Sequence, residues 1–316
     1  MKLPIGRLLA VLVFGAVCSG ASLSTGAARL EPPSMAVVIS HDTDPYVAAL
    51  DGFRDSLTRQ GLPPEIKTYQ LGGDLAGAYP ILDEIVQQEP DLILTLGSLA
   101  TRWVLDQKLE SPIISGLILD SSVLEGRENS TGVVLEIPIE VQIHWISQVL
   151  PEQKTIGVLY NPRQNSERVR AAAVAAARLG MRLVAKEVTE PRELPAALSA
   201  LSRRVDVLWG IPDSVVLTRE TTRSVLLFSF RNRIPFVGLS TAWVEAGALY
   251  SLERNYEDLG AQCAEKAVEV LRGKPVLSIP ISTPRTVSLA LNTRTIDHMK
   301  IDVPVSIVRG AETLVE

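Results

Sequence analysis

The sequence predicts an α/β protein of two lobes, each a parallel sheet covered by helices, and three observations carry that prediction. Short, almost continuously aliphatic runs alternate with longer amphipathic ones, as strands buried on both faces and the helices that bury them must. The same order of runs occurs twice along the chain. At 316 residues, 46% of them hydrophobic and 5% aromatic, the chain is also longer than one core ordinarily supports.

The strand candidates are Met35 to Ser40, Asp91 to Leu96, Pro112 to Leu119, Ile156 to Tyr160, Val205 to Trp209 and Phe236 to Leu239. After the first comes a polar loop, a helix from Tyr46 to Arg59, Gly61 and a strand near Glu65 to Leu71. After Ile156 to Tyr160 comes a polar loop, a helix from Ser166 to Leu179, Gly180 and a strand from Met181 to Val188. In both units Gly ends the helix, where a left-handed turn costs it least. Asp91-Leu-Ile-Leu then matches Asp206-Val-Leu-Trp, and Pro112-Ile-Ile matches Pro235-Phe-Val. Tandem α/β lobes explain this correspondence, as would coincidence among generic βα units. Between them, Pro138 to Leu150 reads as a helix that Pro starts and Pro151 stops. Tyr256 to Leu271 reads as another, with Leu259, Cys263, Ala267 and Val270 on one face. The tail from Val276 to Glu316 is strand-like and rich in Pro and Thr, suiting segments that cross back between lobes.

The expected division is therefore a targeting segment over 1–21, lobe 1 over 34–148 with 256–275 returning to it, and lobe 2 over 151–254 with part of 276–316. Lys2 and Arg7, the apolar stretch Leu8 to Val17 and Ser19-Gly20-Ala21 read as a cleaved secretory signal, too short to span a bilayer. This implies export, with the periplasm as destination. A lipid anchor through Cys18 is the rival reading, although Gly15 and Val17 do not suit a lipoprotein box. Past that segment only Cys263 remains, so no intrachain disulfide can form, and it reads as a small buried hydrophobe.

The net charge of −5, with no basic block, argues against nucleic acid, whose phosphates demand clustered Lys and Arg. Enzyme readings find little. His41, His144 and His298 show no metal-ligand spacing, and no nucleophile elbow, phosphate loop or dinucleotide fingerprint is present. No cofactor or metal is expected.

Ligands of parallel sheets bind beyond the carboxyl ends of the strands, where helix N-termini offer unpaired N–H groups. The residues just after each strand are therefore the candidates. The first half offers His41 and Asp42, then Ser98 and Thr101, then Asp120. The second offers Asn161, Asn165 and Ser166, then Asp213, then Ser240 and Thr241, then Glu253. Hydroxyls, amides and a few carboxylates converging from two sides suit a zwitterion or small polar solute; each can instead simply cap a helix or turn. Ser98 suits a cap for the helix running to Leu105. Asp213 reads either as the partner of an ammonium group or as the N-cap of a helix from Val215 onward. Tyr46, Trp209 and Trp243 can stack on a ligand, with core packing the alternative for Trp209.

Ser130-Thr-Gly-Val-Val, Pro138-Ile-Glu-Val-Gln, Leu150-Pro and Ile156-Gly-Val-Leu-Tyr-Asn161 resemble the junction between lobes in ABC-transporter substrate-binding proteins. These are type I periplasmic binding proteins associated with aromatic amino acid uptake. The resemblance continues through Val205-Asp-Val-Leu, Pro212-Asp213, Ile234-Pro-Phe-Val, Gly247-Ala-Leu, Tyr256-Glu-Asp-Leu-Gly, Leu271-Arg-Gly-Lys-Pro, Ile279-Pro and Leu291-Asn-Thr-Arg-Thr. It implies two Rossmann-like lobes joined by three crossovers, hinge closure on a ligand, and Tyr256 to Leu271 packed on lobe 1. It also implies that Asn161, Asn165 and Ser166 line the side facing a carboxylate, that Asp213 holds an amino group, and that Ser98 and Thr101 face them. Where many relatives carry Ala-Thr-Pro this chain has Leu96-Gly97-Ser98-Leu99, and where they carry Thr-Asp-Pro it has Leu119-Asp120-Ser121-Ser122. The expected function is a monomeric binding subunit delivering a small ligand to an ABC permease; a membrane sensor is the alternative partner.

Overall fold

The computed structural model describes residues 32–316, so the signal segment and Cys18 lie outside the described residues. Among these residues no helix is long and apolar enough to cross a membrane. The first half runs β1 (Ser34–Ile39), α1 (Asp44–Arg59), β2 (Glu65–Gln70), α2 (Ala78–Gln88), β3 (Leu92–Leu96), α3 (Ser98–Asp106), β4 (Ile113–Ile118) and β5 (Ser130–Val134). After α4 (Ile139–Val149) the second half runs β6 (Thr155–Tyr160), α5 (Pro162–Arg178), β7 (Arg182–Glu187), α6 (Leu194–Leu201), β8 (Val207–Trp209), α7 (Thr222–Asn232), β9 (Phe236–Val237), α8 (Thr241–Glu245) and β10 (Tyr250–Arg254). The chain finishes with α9 (Tyr256–Leu271), β11 (Val287–Asn292), α10 (Thr293–Met299), α11 (Val305–Gly310) and β12 (Thr313–Val315).

Two sheets result. The first has the order β2-β1-β3-β4-β5 and is parallel throughout; the second is β12-β11-β10-β9-β8-β6-β7. Taken from the strand that opens each half, β7-β6-β8-β9-β10 repeats the order of the first sheet. Each order reverses beside its opening strand, between β1 and β3 and between β6 and β8, which opens a crevice at the carboxyl ends. β11 adds to β10 antiparallel, the one antiparallel pairing recorded among the described strands.

Successive residues of one strand point to opposite faces. Val37, Leu94 and Ile114 therefore pack under α1 and α9, while Val38, Ile93 and Ile113 pack under α2 and α3. In the second sheet Ile156, Val158 and Val207 face α4 and α5, and Leu159, Leu208 and Phe236 face α6 and α7. Both faces are covered, which is why these strands read as unbroken apolar runs.

Gly61 and Gly180 take φ values of +77° and +69° behind α1 and α5, the left-handed turns their positions demand. Helix α5 starts at Pro162 rather than Ser166, because Asn161 caps it with its side chain on the Arg163 N–H and Pro suits the first turn. The strand expected through Leu239 stops at Val237. The tail is not all strand: Asn292 accepts from the Thr295 N–H at 2.8 Å and starts α10, and Pro304 precedes α11. Local capping overrides the β-like composition there. The chain passes between the two sheets at 135–138, at 254–256 and at 279–287, the last anchored by a bridge between Val133 and Ser282.

Candidate functional site

At the carboxyl end of the first sheet, Ser40 rather than Ser98 caps α3. Gly97 occupies the cap position without a side chain, so the buried Ser40 hydroxyl crosses from β1 to accept the Ala100 N–H at 2.9 Å. The Ser98 hydroxyl turns instead toward the Leu119 N–H, 3.4 Å away. His41 is exposed and stands edge-on to Tyr46, with ring centroids 5.8 Å apart. Asp42 is exposed beside it. Asp120 accepts the Ser122 N–H at 2.9 Å, and that bond holds its carboxyl below the usual range. Thr101 does not join this group: it is fully buried, and its hydroxyl pairs with Thr95 at 2.9 Å, which pairs in turn with Ser115 at 2.8 Å. Thr101 lies on the same helix face one turn further in, against the sheet, whereas Ser98 is the first residue of α3 and stands at the loop.

In the second half, Asn161, Asn165 and Asp213 come together. One Asp213 oxygen accepts the Asn161 N–H at 2.6 Å and the Asn165 amide at 2.9 Å; the other accepts the Val215 and Val216 N–H groups at 2.8 and 2.9 Å. An ionised carboxylate offers about four acceptor positions, and all are occupied by the chain itself. Asp213 therefore clamps the turn after β8 to the start of α5. Residues 214–221 form turns, and the next helix begins only at Thr222, so the expected helix from Val215 is absent. Ser166 donates to the Pro162 carbonyl at 2.6 Å. Ser240 and Thr241 stand half-exposed at the start of α8. Glu253 accepts from Ser251 at 2.7 Å.

A cavity of about 250 Å³ opens at this end of the strands. Leu119 reaches it from the loop after β4, and Leu135, Glu136 and Ile137 from the first crossover. Gly210, Pro212 and the Val237–Leu239 stretch line it from the second sheet, with Gln142 and Arg168 from α4 and α5, and Leu252 and Arg254 from β10. None of the twelve candidate side chains lies in this lining, although Leu119, Pro212 and Leu239 directly precede three of them. Glu253 misses it through strand alternation, since its neighbours Leu252 and Arg254 occupy the cavity face.

Several polar contacts hold these walls. Trp209 is buried and donates its indole N–H to Gln142 at 3.1 Å, and Gln142 donates to the Ile137 carbonyl at 2.7 Å. Arg168 pairs with Glu136 at 2.5 Å and donates to Asn165 at 3.1 Å. Arg254 Nε donates to the Leu135 carbonyl at 2.5 Å, tying one crossover to the next. Leu117, at φ +56°, sits in a bulge where β4 spends three residues against two of β5. Leu119 emerges beyond it at 72% exposure, an apolar residue held in the open cleft. Strand-end polarity nominated loops; the charged residues of the crossover and of α5 carried no such signal.

Residues 34–315 match the family model described as ABC transporter substrate binding protein. A tyrosine-binding protein of Clostridioides difficile (strain R20291) is 25% identical over 232 residues, covering 71% of this chain and 67% of its own. The ligand-free, open structure of a substrate binding protein with adhesive properties from Clostridium difficile superposes with a TM-score of 0.73 at 21% identity, over 90% of this chain and 99% of that one. An ABC domain from Streptococcus pneumonia, in complex with L-Trp, gives a TM-score of 0.58 at 21% identity over 90% of this chain and all of that one.

Proposed function

Because the chain belongs to the ABC transporter substrate binding protein family, we propose that it is the extracytoplasmic receptor of an uptake system, binding an amino acid or close relative and delivering it to a permease. The observation that carries this reading is the position of the cavity. Its walls come from the loop after β4, from two crossovers and from the second sheet, so one bound solute touches every part that hinge closure would bring together. Apolar side chains such as Leu119, Ile137, Val237 and Leu252 suit a hydrophobic body, and Arg168, Arg254, Glu136 and Gln142 suit a polar head. The tyrosine-binding relative supports an aromatic amino acid among the candidates.

A thermal melt against a panel of amino acids tests the reading. Ligand at a hundredfold excess over Kd adds about 2.7 kcal/mol, enough to move the melting temperature by several degrees. The active compound should also contract the small-angle scattering profile. A melt and a profile unmoved by every compound would remove the proposal.

A further inference from the structure

The cavity has a charge imbalance that its ligand must answer. Three charged side chains reach its lining: Glu136, Arg168 and Arg254. Glu136 and Arg168 neutralise each other, and the second Nη of Arg168 is engaged by Asn165. Arg254 differs. Its Nε is pinned on the Leu135 carbonyl, and among the described residues no carboxylate stands within ion-pair distance of it. The two Nη groups extend a planar fork of donors beyond that anchor, on a side chain only partly open to water.

The neighbouring acids do not compensate. Asp213 is outside the lining with all four acceptor positions taken, and Glu253 points to the opposite face of β10. A cationic fork held rigid in a partly desolvated, largely apolar cavity matches a carboxylate, which it can meet with two parallel hydrogen bonds. An ammonium group finds no equivalent, since it would have to share Glu136 with Arg168.

We infer that Arg254 is the specificity-determining residue for the ligand's carboxylate, and that the cavity selects a monocarboxylate with an apolar body, the ammonium group adding little. The inference rests on the receptor reading above and narrows it: head-group recognition comes from the acid, and from a residue at the crossover rather than from the loop residues Asn161, Asn165 and Asp213.

Titration calorimetry with four phenolic probes tests it: tyrosine, 3-(4-hydroxyphenyl)propionate, tyrosinamide and tyramine, each against the unaltered protein, R254Q and R254K. The two acids should bind the unaltered protein at least about tenfold more tightly than the amide and the amine. R254Q should weaken both acids by about tenfold to a hundredfold, the loss expected for a charge-assisted hydrogen-bonded pair, and leave the amide unchanged. R254K, which keeps the charge but not the fork, should recover part of that loss. A residue that merely braced the crossover would weaken acid and amide equally. An acid-to-amide ratio unchanged in R254Q, or tyramine binding as tightly as tyrosine, overturns the inference and leaves the receptor reading standing. If none of the four binds, the ligand class falls, and the broader amino acid melt decides the receptor reading separately.

Discussion

Asp213 shows how much a single side chain's role depends on what surrounds it. Its place after a strand marks it as polar and near the ligand, yet four donors of the chain itself saturate it. Replacing it should therefore cost stability before it costs anything else. D213A strands the Asn161, Val215 and Val216 N–H groups and the Asn165 amide, in part away from water, and should lower unfolding free energy by about 2–4 kcal/mol in a urea titration. A variant as stable as the parent would contradict the clamp. Thr101 follows the same logic: a hydroxyl placed by the pattern near the cleft is spent inside, on Thr95. Cys263, expected as a buried hydrophobe, is fully buried, and burial pushes its thiol up to about 12, so it carries no thiolate at neutral pH. Donor and acceptor types are visible in a sequence; which of them are already satisfied is not, because partners such as Asn161 and Asp213 lie 52 residues apart.

The elements were largely legible and their margins were not. Helix α9 is read over the same residues as the structure shows, since Asn255 caps it, accepting from Asp258, and its apolar stripe is regular. What no periodicity reveals is how closely it meets α1. A Cβ on Gly260 would lie 1.8 Å from the Ala49 carbonyl oxygen, and one on Gly52 would lie 2.0 Å from that of Glu257, so the two backbones touch where both helices lack side chains. G260A should force them apart and cost about 2–3 kcal/mol. G77A, which meets open space, should stay within about 0.5 kcal/mol. Equal melting temperatures for the two variants would refute close packing. Helices α2 and α6 went unread, because exposed Tyr79 and Val86 interrupt the apolar pattern of α2 and α6 is only eight residues long; α7 was expected seven residues too early, from Val215 rather than Thr222.

At the scale of the whole molecule, the passages between the sheets are held by charge. Arg285 binds Asp258 at 2.6 Å and Glu265 at 2.8 Å, and Thr286 donates to Asp258 at 2.8 Å, fastening the last passage onto α9. Burial would raise the Asp258 carboxyl, but the bonds from Arg285 and Thr286 together outweigh it and hold the group below its ordinary value. Its contribution is thus complete above the unfolded carboxylate range, near about 3.9, and fades as pH falls through the lower folded value. Stability curves of the parent and D258N should converge as the medium is acidified below about pH 4; a gap that is constant with pH would exclude this role. The α/β class, the tandem repeat of strand order and the family resemblance follow from the chain alone, because burial on both faces of a parallel sheet writes itself into local composition and spacing. The cavity does not. Its lining joins Leu119 to Arg168, Leu239 and Arg254, residues far apart in the chain, and whether a polar group there is free or already bonded is decided only when distant segments meet.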